Sequence, residues 1–134
     1  MNGDSLEEIL RQFLVDAPAE LCAAYLYGSR ARGTASDRSD LDLALLYRET
    51  PPTTLSGLPL DLESKFERIV GIPVQAVILN SAPPDLVHRV LRDGTLVLDR
   101  DPGRRIRFEV KSRNEFFDLK PVLDEYRAAR APAR

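Results

Sequence analysis

The 134 residues include only one cysteine, Cys22, and one histidine, His88. A lone cysteine excludes an internal disulfide and any metal site built from several thiolates. No apolar run approaches the roughly 20 residues that a membrane-spanning helix needs. The first ten residues, MNGDSLEEIL, are acidic and amphipathic, unlike a secretory leader. The expectation is a cytoplasmic protein without a membrane partner. A large excess of either charge is also missing, since the net charge is −2. The signs are unevenly placed, however. Residues 104–134 carry nine Lys/Arg and five Asp/Glu, a local balance of +4 that leaves −6 on the rest. A basic tail can bind nucleic acid. Here the bases alternate with acids and with Phe at helical spacing, which favours a solvated or partner-facing helix over nucleic acid.

What is present suits one soluble domain over 1–134, with a helical tail from about 103. Apolar residues make up 43% and charged residues 30%, in the range of globular proteins, and the length suffices for a real core. Leu6, Ile9, Leu10, Phe13 and Leu14 share one helical face, so a helix is predicted over about 5–15, capped by Asp4 or Ser5. CAAYLY (22–27) predicts a buried strand ending at Gly28, and SDLDLALLY (39–47) a second strand. A Thr-, Pro- and Gly-rich loop comes next, from Arg48 to Pro59. Leu60, Leu62, Phe66, Ile69 and Val70 predict a helix closed by Gly71. VQAVIL (74–79) predicts a third strand, Pro83-Pro84 opens a helix to about Arg92, and TLVL (95–98) is a fourth strand. In the tail, Phe108, Phe116, Leu119, Leu123 and Tyr126 are the expected buried positions, and Pro121 should bend or break the helix. Strands alternating with helices imply an α/β layer architecture.

The chemistry concentrates in LYGSRARGTASDRSDLDLALL (26–46). Gly-Ser, ten residues, then Asp-Leu-Asp recurs by chance in roughly one chain of this length in a thousand. Gly28 lets backbone approach a phosphate without a side chain intervening. Ser29 offers a hydroxyl and an N–H at the start of a helical turn, where partial positive charge favours an anion. Arg30 and Arg32 add positive charge suited to bidentate phosphate contacts, and Ser39 completes the candidate nucleotide-binding set. Asp40 and Asp42, two apart on a strand, face the same way at about 6–7 Å. Unpaired carboxylates at that separation repel by roughly 2–3 kcal/mol at an effective dielectric near 20. A divalent cation removes the repulsion, and two such ions about 3.5–4 Å apart can hold a triphosphate and activate a hydroxyl. The simpler alternative has Ser39-Asp40 starting a strand and Asp42 paired with an arginine. A P-loop is excluded because Thr34 stands where that motif needs Lys.

GSRARGTASDRSDLDLAL resembles the signature of the DNA polymerase β-type nucleotidyltransferase superfamily. It is similar in particular to the small bacterial and archaeal MNT-type proteins encoded beside HEPN-domain partners. The later segments LPLDLESKFERIVG, PVQAVILNSAPPDLVHRVLRDGTLVLDRD and RFEVKSRNEFFDLKPVLDEYR resemble the same layout. The resemblance implies a mixed sheet flanked by helices, Mg²⁺ held by Asp40 and Asp42 as the catalytic pair, and ATP phosphates around Gly28 and Ser29. It also implies an antitoxin that transfers AMP from ATP to a tyrosine of a HEPN ribonuclease toxin, in a homo- or hetero-oligomer whose partner completes the site. One departure is visible. The superfamily places a third acid on the next core strand, as in V-D-x-V-D-L-N, and here VQAVILN has Gln75 and Ile78 instead. Asp61, Glu63 or Asp85 are the candidate replacements. The alternative function is therefore an inactive nucleotidyltransferase-like antitoxin that neutralises its partner by binding alone. Of the other residues, His88 is expected at the surface or in packing, Cys22 as an inert core thiol, and Tyr25 and Tyr27 as core residues beside the phosphate site.

Overall fold

Leu6, Leu10 and Leu14 recur every fourth residue, and such spacing buries one stripe of a helix. Helix α1 spans Gly3–Leu14, starting slightly earlier than its sequence pattern indicates, and all three leucines are buried. The computed structural model describes residues 3–28, 40–51 and 57–130. After α1 come β1 (Leu21–Tyr27), β2 (Leu41–Tyr47), α2 (Gly57–Val70), β3 (Val74–Ile78), a 3₁₀ turn (Leu79–Ser81), α3 (Pro84–Asp93), β4 (Thr95–Asp99) and α4 (Pro102–Arg130). The expected elements are therefore present, with ends shifted by one to three residues. Asp40 precedes β2 instead of lying within it, and Leu79 belongs to the turn.

The four strands form one mixed sheet in the order β3-β2-β1-β4. β1 runs antiparallel to β2 and β4, and β2 runs parallel to β3. Alternation divides each strand between two apolar layers. Leu41, Leu43 and Leu45 pack with α1 leucines and with Leu62 and Phe66 of α2 on one face. Ala23, Tyr25, Ala44 and Leu46 pack with Val87 and Val90 of α3 on the other. Fully burying a leucine or phenylalanine contributes about 1.5–3 kcal/mol, so these two layers fix the sheet between its helices. Cys22 lies in the core, as expected for an inert thiol, and burial pushes its pKa up.

Polar groups finish the elements. β3 is an edge strand, and its outward N–H groups at Val74 and Ala76 donate to Glu67 Oε1 (2.8 Å) and Glu63 Oε1 (2.6 Å) of α2. Where β3 ends, Asn80 imitates a strand residue: Tyr47 N–H donates to its Oδ1 and its Nδ2 donates back to Tyr47 O, both at 2.9 Å. Arg100 donates to the carbonyls of Leu14 (3.1 Å), Val15 (2.8 Å) and Pro18 (2.7 Å), tying the end of α1 to the end of β4. Gly71 ends α2 with φ +73°, the left-handed conformation glycine adopts freely.

Three expectations for the apolar faces need correction. Ile69 is exposed, because it lines an open groove between α1 and α2. Leu119 and Tyr126 are also exposed; Phe116 is buried and Phe108 half-buried. The side chain of Leu123 lies outside the described set. Nor does Pro121 interrupt α4. Proline there costs about 3 kcal/mol by removing one hydrogen bond and crowding the carbonyl four residues back. That carbonyl belongs to Phe117, which is exposed as Pro121 is, so water can solvate the freed group.

Candidate active site

Gly28 ends β1 with φ +77°. A Cβ at this position would collide with Asp42 Oδ2 and lie 3.3 Å from Asp42 Cγ. Glycine is thus required twice, by the backbone turn and by the carboxylate that occupies the space of a side chain. Strand register explains the closeness. Tyr27 is the cross-strand partner of Asp42, and Asp42 is the partner of Gln75, so the three form a row across β1, β2 and β3. Asp40 lies one step before β2 and accepts a hydrogen bond from Gln75 Nε2 at 3.1 Å.

The electrostatics stem from this crowding. Burial, and then the negative charge of Asp40, push the Asp42 pKa above the usual aspartate value. Burial and then Asp42 raise the pKa of Tyr27, with Arg89 opposing. Tyr27, Gly28 and Asp42 line a cleft of about 270 Å³ whose other wall is α3, through Leu86, Arg89, Arg92 and Asp93. Arg92 is engaged by Asp93 at 2.8 Å. Arg89 thereby becomes a cation of the cleft that the sequence does not single out. Its only sequence signal is the spacing Leu86, Arg89, Asp93, one polar-edged face of α3.

A larger groove of about 520 Å³ lies on the opposite sheet face, between α1 and α2, and is lined chiefly by apolar residues such as Ile9, Phe13, Leu62 and Ile69. It lacks the paired acids and the glycine turn, so size does not mark the chemistry here.

Of the nucleotide-binding candidates, Gly28 is placed beside the acids, whereas Ser29, Arg30, Arg32 and Ser39 lie outside the described residues. Asp40 is close enough to act on the charge of Asp42, and it lies one residue before the strand instead of within it. The supposed replacement acids are elsewhere. Glu63 accepts from the backbone of β3, Asp61 lines the opposite groove, and Asp85 pairs with Arg127 at 2.7 Å. Gln75 occupies the row beside Asp42, but Ile78 pairs with Leu45 on the other sheet face. Residues three apart on a strand face oppositely, so Ile78 replaces no acid of the site. His88 stacks on Phe116 with ring centroids 3.7 Å apart, a packing role. Tyr25 is buried and donates to Glu109 Oε1 at 2.6 Å.

Two carboxylates that repel each other beside a side-chain-free turn suit a hard divalent cation. Mg²⁺ is commonly held by one or two carboxylates, with phosphate oxygens and water filling its shell. Among the described residues no cluster of three or more Asp, Glu, His or Cys could hold a metal by protein ligands alone.

Residues 8–103 match the family described as polymerase beta, nucleotidyltransferase. The chain belongs to this family. Solved structures agree with the match. A chain of a toxin–antitoxin complex crystallised with AMP-PNP superposes with a TM-score of 0.70 at 24% identity, covering 90% of this chain and 97% of that one. A chain of a complex between a tri-AMPylated Shewanella oneidensis HEPN toxin and an MNT antitoxin gives 0.66 at 21% identity, covering 92% and 98%. A protein provisionally described as a minimal nucleotidyltransferase gives 0.56 at 30% identity, covering 71% and 95%. No curated protein matches the chain. The family's fold is the one described above: a four-stranded mixed sheet with flanking helices and a C-terminal helix. No helix among the described residues is long and apolar enough to cross a membrane.

Proposed function

We propose that this nucleotidyltransferase transfers AMP from ATP to a tyrosine hydroxyl of a HEPN ribonuclease toxin, with Mg²⁺, and so acts as the toxin's antitoxin. The observation that carries the reading is the contact of the Asp42 carboxylate with the Gly28 turn, with Asp40 two residues away. Structural likeness to toxin–antitoxin chains, one complex containing AMP-PNP and another an AMPylated toxin, supports it.

In this reading Gly28 and Ser29 present backbone N–H groups to the triphosphate, assisted by Arg30, Arg32 and Ser39. Asp40 and Asp42 hold the magnesium ion, which when bound neutralises charge on the phosphate oxygens. Arg89 adds a positive charge from the α3 wall. The tyrosine oxygen of the partner forms a bond to the α-phosphorus, the bond from that phosphorus to the bridging oxygen breaks, and pyrophosphate leaves with the electron pair. The hydroxyl proton passes to solvent, because Gln75 stands where a carboxylate base would. Losing such a base slows a reaction by about 10²–10⁴.

The test is to incubate the chain with Mg-ATP and the product of the neighbouring open reading frame. An adenylyl mass should appear on the neighbour, and Asp42→Asn should abolish it. Equal labelling by the variant and the native chain overturns the reading.

Gln75 in the acid row favours a second reading, in which the protein neutralises its partner by binding alone. Neutralisation that survives the double substitution Asp40→Ala, Asp42→Ala would select it. Nucleic-acid binding through α4 ranks below both. Lys111, Lys120 and Arg127 are each paired with an acid, and this lowers the charge offered to a phosphate backbone.

A further inference from the structure

Gln75 reaches across from β3 to donate its Nε2 to Asp40 Oδ2 at 3.1 Å, while its backbone is in register with Asp42. The atom facing Asp40 must be the amide nitrogen, because a carbonyl oxygen there would set lone pair against lone pair. An amide nitrogen has no free lone pair for a cation, and its hydrogen bond already engages one oxygen of Asp40. The only other polar atom of the side chain is a neutral carbonyl. An acid in this place would make a three-carboxylate cluster, and no such cluster exists among the described residues.

Ligand supply limits the number of cations. Two carboxylates can ligate one divalent ion, with phosphate oxygens and water completing its shell. A second divalent ion would need a further anionic protein ligand, and the position beside Asp40 holds an amide instead.

We propose that Gln75 restricts the site to a single firmly held divalent cation and aligns the Asp40 carboxylate for it, by setting an amide donor where a third carboxylate would create a second cation position. The inference rests on the nucleotidyltransferase reading and deepens it. Gln75 is in this sense a positioning residue, since it acts through Asp40.

The test counts ions and does not rely on turnover. The full chain is dialysed against Mn²⁺ and a non-hydrolysable ATP analogue, the bound metal is counted, and coupling between ions is read by electron paramagnetic resonance. The native chain should retain one Mn²⁺ with the spectrum of an isolated ion. Gln75→Asp and Gln75→Glu should gain a second ion, bound at least tenfold tighter than in the native chain, with a spin-coupled spectrum. Gln75→Asn, which keeps an amide, should stay at one. Gln75 is exposed on an edge strand, so these variants leave the core untouched. Two ions on the native chain, or one ion on both acid variants, overturns the inference and leaves the nucleotidyltransferase reading standing. No retained ion on the native chain overturns both.

Discussion

The Asp42 carboxylate fills the space that any side chain at position 28 would need, so Gly28 and Asp42 form one geometric unit. Gly28→Ala must move the carboxylate and hold an L-residue at φ +77°, where a Cβ costs about 1–2 kcal/mol. Urea unfolding should register a loss of about that size. Adenylyl transfer should fall much further, by at least tenfold, because the displaced group is a proposed metal ligand. A variant with reduced stability and native transfer would break the link between turn and acid.

Asp42 makes a pH prediction whose sign is fixed. Burial and the nearby Asp40 raise its pKa in the folded chain, so the folded state holds a proton over a range where the unfolded state has released it. Stability then falls as pH rises from the ordinary aspartate value through the raised one. In chelator at neutral pH, Asp42→Asn should therefore melt higher than the native chain, by roughly 2–4 °C, a small effect because Asp42 is partly open to water. The gap should close at acid pH and narrow again with Mg-ATP. Thermal melts across pH decide the matter; a variant that melts lower in chelator contradicts it.

Arg100 joins three carbonyls at the end of α1 to the end of β4 with one guanidinium. Hydrogen bonds from a charged donor contribute about 1.5–3 kcal/mol. Arg100→Ala should lower the unfolding free energy by about 2 kcal/mol in urea, with the activity per folded molecule unchanged. Arg100→Lys should restore only part, since an ammonium cannot reproduce the planar fork. Full recovery with lysine would show that charge alone matters.

Much of this was legible in the sequence because it is local. Leu6, Leu10 and Leu14 announce their helix, and Gly28, Asp40 and Asp42 declare themselves by their spacing within one short stretch of sequence. What escaped was set by pairing between distant segments. Arg89 enters the cleft only because α3 packs over the end of β1. The family pattern puts Gln75 and Ile78 on the same footing, yet the parallel register with β2 leaves one in the acid row and sends the other to the opposite layer. Leu119 and Tyr126 keep a helical spacing that suggests burial, yet both are exposed, because spacing defines a face and not what covers it. Pro121 breaks no helix for a physical reason of its own: a rule about lost hydrogen bonds weighs less where water replaces them.

The glutamates at the margin of β3 limit how this molecule can meet others. With the outward amides of Val74 and Ala76 already bonded to Glu67 and Glu63, an incoming strand would find no free donors at those positions and two negative charges in its path. Extension of the sheet by another chain is thereby discouraged on this side, a safeguard that unprotected strand borders lack.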